Sequence, residues 1–147
     1  MINIYTDGGS SPNPGLGAWG AILMFKNETK EIYKEFYQAY PDEITTNNQM
    51  ELLAAINALS KIKDSNTIPI TLHSDSNYLI KGMNEWLSGW KNKNFKDVKN
   101  VELWKQLDML NTKFNITWVW VKGHASNKYN NRADELVNLA RKEVTNI

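Results

Sequence analysis

Cysteine is missing altogether from this chain, which excludes disulfides and thiolate zinc sites and fits a reducing, cytoplasmic setting. Long apolar runs are missing too. The longest near the start, AILMF, is far too short to span a bilayer, so no membrane partner is expected. The opening MINIYTDGG lacks a basic stretch followed by an apolar one, so no secretory signal is expected. Net charge is only +1, which gives no global sign of a polyanionic partner.

What is present is a soluble composition, 41% hydrophobic and 22% charged, over 147 residues, enough to bury a core in one domain, residues 1–147. The stretch GLGAWG, Gly15 to Gly20, has the glycine spacing of dinucleotide-binding loops. Such a loop requires a helix N-terminus to receive a pyrophosphate, but the residues that follow, AWGAILMF, read as a strand. The glycines are therefore expected to form turns where backbone passes close to something.

INIYTDGG, AWGAILMF and KEIYKEFYQAY form three strand-like runs joined by short loops, as in an antiparallel meander. The period then changes. TTNNQMELLAAINALSKI reads as a helix with Thr46 as N-cap and Gln49 completing a capping box. IPITLHSD and ITWVWVKG follow as strands, separated by the helical segments SNYLIKGMNEWLSGW and NVELWKQLDMLN, and NNRADELVNLARKEV closes as a helix. The expected fold is α/β: a five-stranded mixed sheet, three antiparallel strands then two parallel, with helices on both faces.

Four carboxylates stand at element ends or in apolar surroundings. Asp7 precedes Gly8 and Gly9, where aspartate is a common turn residue. Asp75 sits between a strand and a helix and could be an N-cap. Asp134 is expected in the first turn of the last helix, where it suits the dipole and could pair with the cap region through Asn131. Glu51 resists such explanations. It is the only charged residue between Glu43 and Lys61, in a helix apolar on nearly every face, so it needs a cation, a hydrogen-bond network or a metal. If the first strand and IPITLHSD end near this helix, Asp7, Glu51 and Asp75 meet, and three carboxylates in one pocket suit Mg²⁺ or Mn²⁺.

His124 lies in the Gly-, Ser- and Asn-rich segment VKGHASNKYNNRADE, where it is either an ordinary surface residue or a proton carrier beside a metal site. His73, on a strand, is read as a core residue or a support to the site. WKNKNFKDVKNVELW, Trp90 to Trp104, carries Lys91, Lys93, Lys96 and Lys99 among aromatics: either a solvated helix end or a local nucleic-acid patch.

YTDGGSSPNPGLGAWGAIL, TTNNQMELLAAINAL, DSNYLIKGMNEWL, VKNVELW and WVKGHASNKYNNRADELV closely resemble, in order and spacing, the sequence blocks of bacterial ribonuclease HI. TNNQMEL and WVKGHA followed by RADEL are the specific ones. The resemblance implies the ribonuclease H fold and an endonuclease that cuts the RNA strand of RNA/DNA hybrids, leaving 5′-phosphate and 3′-hydroxyl ends. It implies two Mg²⁺ ions, with Mn²⁺ as a substitute, held by Asp7, Glu51, Asp75 and Asp134, and His124 as the mobile proton carrier. By the same resemblance Asn13, Asn47, Asn48, Gln49 and Asn77 would bind sugars and base edges, and Thr46 would lie near a DNA phosphate. Trp86 and Trp90 would line the DNA channel, with helix packing as the alternative for both. Lys91, Lys93, Lys96 and Lys99 would form a basic protrusion whose contribution falls with salt. A monomer is expected.

The sequence departs from the family in a shorter basic protrusion with fewer cations, in Gln49 where arginine is frequent, and in Gly89 where a polar phosphate contact is common. Two rivals remain at this level. One is another two-metal nuclease on the same fold, such as a transposase, and the other is a hybrid-binding module without activity.

Overall fold

In the computed structural model, which describes residues 1–145, the meander consists of β1 (Ile2–Ser11), β2 (Gly15–Lys26) and β3 (Glu31–Thr45). β1 and β2 pair antiparallel, as do β2 and β3. On the other side of β1 lie β4 (Ile70–Ser74) and then β5 (Ile116–Trp120), both parallel to it, so the order is β3-β2-β1-β4-β5. This is the mixed sheet expected from the change of period. Parallel neighbours require crossovers. α1 (Asn47–Leu59) supplies the first; α2 (Asn77–Lys81), α3 (Leu87–Asn92) and α4 (Val101–Lys113) form the second, and α5 (Lys128–Thr145) closes the chain.

Local chemistry accounts for the element ends. The Thr46 hydroxyl accepts from the Gln49 N–H while the Gln49 side chain accepts from the Thr46 N–H, so the expected capping box starts α1. β3 continues past its expected end near Tyr40, through Pro41, because an edge strand tolerates the missing N–H. The helix expected over 76–90 is interrupted by a π-helical turn, Gly82–Trp86, where an added Cβ at Gly82 would stand 2.0 Å from the Trp104 ring. α5 begins at Lys128 because the Asn127 side chain accepts from the Tyr129 and Asn130 N–H groups.

The core lies mainly between the sheet and α1, α2 and α4, with Ile4, Leu52, Leu59, Leu72, Leu79, Trp104 and Leu107 fully buried. A smaller cluster, Ala18, Val137 and Ala140, seats α5 on the opposite face. The glycines of GLGAWG all lie within β2 with φ outside the left-handed region, so they are not turn formers. They are close-approach positions, as the other half of that expectation held: a Cβ at Gly17 would stand 2.0 Å from the Thr45 hydroxyl, and one at Gly20 2.7 Å from Leu136 Cβ. No helix among the described residues is long and apolar enough to cross a membrane.

Candidate active site

Two adjacent steps of β1 position the acids. In the antiparallel ladder Gly8 faces Trp19 and Asp7 faces Gly20, and paired residues point to the same side. Gly8 and Trp19 thus face α1. A Cβ at Gly8 would lie 2.4 Å from the Met50 carbonyl group, so α1 rests directly on the strand there and brings Glu51 to its edge. Asp7 and Gly20 face α5, whose Ala133 and Leu136 pack onto Gly20, and this brings Asp134 to Asp7. β4 is parallel to β1 and pairs Ser74 with Thr6, so Asp75 leaves the sheet beside Asp7.

Ligand oxygens of Asp7, Glu51 and Asp75 all lie within 4.8 Å of one another. Asp7 and Glu51 are buried and Asp75 is half-buried. Burial, the Asp75 charge and a hydrogen bond with Asp134 push the Asp7 carboxyl up to about 8. Burial, then Asp7 and Asp75, hold Glu51 well above the usual carboxylate range. Glu51 Oε1 has no hydrogen-bond partner, and no ion pair among the described residues involves any of the four acids. A buried carboxylate oxygen without a donor, in an all-oxygen set of repelling acids, has the chemistry of a hard divalent cation site.

Asp134 lies in the second turn of α5, not the first, since Asn127 starts the helix earlier than the sequence suggested. Asn131 does not pair with it either: its amide donates to the Ala125 carbonyl at 2.9 Å. Asp75 is held from three sides. The Asn130 amide donates to Oδ2 at 3.3 Å, the Trp120 indole donates to the backbone carbonyl at 3.1 Å, and a Cβ at Gly123 would stand 2.8 Å from Oδ2. Sequence reasoning missed Asn130. Its signal was an amide on the same buried stripe of α5 as Ala133, Leu136, Val137 and Ala140. His124 is exposed on the loop after β5, with a left-handed φ of 52°. His73 stacks on Tyr5 at 4.2 Å and bonds Asn3, so it belongs to the sheet face.

Beside the acids runs a groove of about 990 Å³. It gathers Asn13, Thr46, Asn47, Asn48, Gln49, Trp90, Lys93, Lys96 and Lys99. Asn77, Trp86 and Lys91 do not line it. Asn77 is exposed at the start of α2, and Lys91 is paired with Asp108 at 3.1 Å. Trp86 is 38% exposed, tilted against Trp90 at 5.8 Å and edge-on to Tyr78 at 6.4 Å. Trp90 in turn packs on the buried Trp104 at 4.9 Å, so packing and groove lining coincide in one side chain. Tyr78 and Asn100, absent from the sequence reading, complete the wall, with the Asn100 amide donating to the Tyr78 hydroxyl. Gly89 has open space around it.

A mixed sheet in this order, with acids converging where the parallel pairing of β1 and β4 ends and a groove of amides and lysines beside them, defines an α/β protein of the ribonuclease H-like class. The ribonuclease H family profile matches residues 1–142. The chain is 48% identical to a Francisella philomiragia ribonuclease H over 146 residues, covering 96% of this chain and 91% of that one. It is also 48% identical to the ribonuclease H of Ruthia magnifica, covering 98% and 97%. The crystal structure of LC9-RNase H1, a type 1 enzyme with the type 2 active-site motif, superposes with a TM-score of 0.85 at 23% identity, covering 97% of this chain and 72% of that one. The chain belongs to the ribonuclease H family.

Proposed function

We propose that the protein is an endoribonuclease that hydrolyses the RNA strand of RNA/DNA hybrids, leaving 5′-phosphate and 3′-hydroxyl ends. The observation that carries this reading is the Asp7–Glu51–Asp75 cluster, joined by Asp134 through Asp7, with no ion pair among the described residues to neutralise it. The residues fit two divalent ions, Mg²⁺ or in its place Mn²⁺, held by these four acids. When bound, such ions polarise the phosphate, activate a water and stabilise the leaving O3′.

The chain's own groups do the rest. Gly8 lets α1 close on β1 and Gly20 lets α5 close on the paired strand β2, so the acids are fixed before substrate arrives. Asn130 and Trp120 orient Asp75. His124, on an exposed loop beside this end of the sheet, carries protons to or from the reacting oxygens. Asn13, Asn47, Asn48 and Gln49 supply donors and acceptors for 2′-hydroxyls and base edges, with Asn77 at the margin. Thr46, Trp86, Trp90, Lys93, Lys96 and Lys99 take the DNA strand, and Lys91 adds charge at the rim. We read the chain as one catalytic domain, supported by a profile match over residues 1–142, and take it to act as a cytoplasmic monomer.

The test is cleavage of one labelled RNA presented as hybrid, as duplex RNA and single-stranded, in Mg²⁺ or EDTA, with Asp7→Asn as control. Metal-dependent cutting of the hybrid alone, lost in the variant, is the expected result. Hybrid bound but left whole would favour a binding module, and cutting of duplex DNA would favour another nuclease of this class.

A further inference from the structure

Arg141, in the second-last turn of α5, reaches back to β1. Its Nη1 donates to the Gly9 carbonyl at 2.9 Å and its Nη2 to Asn138 Oδ1 at 2.9 Å. Gly9 lies two residues beyond Asp7, about 7 Å further along the strand at the usual rise. A Cβ at Gly9 would stand 3.9 Å from Arg141 Nη1 and 3.4 Å from Asn47 Oδ1, so the guanidinium and the Asn47 amide flank the same residue. The strip continues: Asn47 Oδ1 accepts from the Ser10 N–H, and the Asn47 N–H donates to Asn13 Oδ1. Arg141 makes no ion pair among the described residues, and two contacts leave most of its five donors unused.

We infer that Arg141 is a backbone-phosphate contact for the RNA strand, anchoring it two residues along β1 from Asp7, across the Asn47–Asn13 strip from the lysines of the groove. This rests on the hybrid-cleaving reading above. The groove with Trp90, Lys93, Lys96 and Lys99 opens on the α1 side of the sheet, and Arg141 belongs to α5 on the other side. Between them runs the Asn47–Asn13 strip, and Asp7 stands two residues back from Gly9 on β1. A duplex with one strand over the acids and its complement in the groove therefore presents the cleaved strand, not the DNA, to Arg141. A guanidinium held by a main-chain carbonyl is pre-oriented and loses little freedom on meeting a phosphate, which it can engage with two parallel donors.

The experiment compares wild type, Arg141→Ala and Arg141→Lys on a labelled hybrid between about 50 and about 200 mM salt. The expected result for Arg141→Ala is a KM raised about three- to tenfold with little change in kcat, and a salt dependence of log affinity shallower by about one. Arg141→Lys is expected to restore the salt slope and part of the affinity. Hybrids made neutral by methylphosphonates in one strand at a time identify the strand, since the alanine effect should vanish only when the RNA strand is neutral. Fluorescence anisotropy in an Asp7→Asn background gives the binding readouts without cleavage, so failure of the ribonuclease reading is distinguishable from failure of this one. A lower melting temperature with an unchanged salt slope would make Arg141 a structural tether and overturn the inference. So would a defect that persists on neutral RNA backbone, or no defect.

Discussion

Gly8 lies against the main chain of Met50, so closely that a Cβ there would stand 2.4 Å from both the carbonyl carbon and oxygen. The neighbouring residues are Asp7 and Glu51, so this contact sets the separation of two acids of the cluster. Gly8→Ala should push α1 off the strand, at a cost of about 1–3 kcal/mol as for other overpacked sites. Divalent-cation affinity should fall as well. Denaturant unfolding and Mn²⁺ titration calorimetry check the two effects, and an alanine variant with unaltered cation affinity would contradict the proposed linkage.

The acid cluster predicts an unusual pH response without metal. Asp7 titrates near 8 in the fold against an ordinary 3.8, and burial moves Glu51 in the same direction. A carboxyl whose folded value is raised stabilises the fold below its unfolded value, and that contribution disappears as pH rises through the folded value. In EDTA the contribution of this cluster should therefore decline from about pH 4 to about pH 8. Mg²⁺ compensates the ionised acids, so the rise in melting temperature on adding it should be larger at pH 8 than at pH 5. Calorimetric scans at both pH values, with and without metal, provide the comparison.

His124 combines a proposed proton-carrying role with left-handed backbone, φ 52°, and the two are separable. Alanine removes the imidazole and remains strained there, whereas asparagine removes it and tolerates the conformation. Both variants should slow turnover by about 10²-fold, within the usual range for general acid–base groups, without abolishing metal-dependent cleavage. If His124→Asn retains full kcat, the ring carries no proton.

The exposed lysines of the groove should act through charge alone. Lys93→Ala, Lys96→Ala and Lys99→Ala should each raise KM and flatten the salt dependence by about one phosphate's worth. Melting temperatures should stay near wild type, because all three side chains are exposed and none forms an ion pair among the described residues. Lys91→Ala should have a smaller effect on hybrid binding, since Lys91 is already paired with Asp108.

Much of this was legible in residue order. The change from period two to helical spacing at Thr46 placed the meander, α1 and the crossovers, and the lone charge of Glu51 in an apolar helix marked the acid cluster. Less legible was the helix across 76–90, because a π-helical turn at Gly82 depends on where Trp104, more than twenty residues away, inserts its ring. Asp134 was assigned one turn too early because the sequence offers several asparagines as caps and only the folded loop selects Asn127.

The sequence by itself determined most of the element types and singled out Glu51, because periodicity, capping chemistry and an unpaired charge in an apolar helix are properties of neighbouring residues, while its ordered blocks carried the resemblance to the family and to its four acids. Only the tertiary structure decided which groups converge. Gly8 against Met50 and Gly20 against Leu136 are contacts between distant segments, and they bring two helices onto opposite faces of the paired strands β1 and β2. The tether from Arg141 to Gly9 and the support of Asp75 by Asn130 and Trp120 are decided in the same way, since hydrogen bonds across such separations exist only once the sheet and α5 have packed.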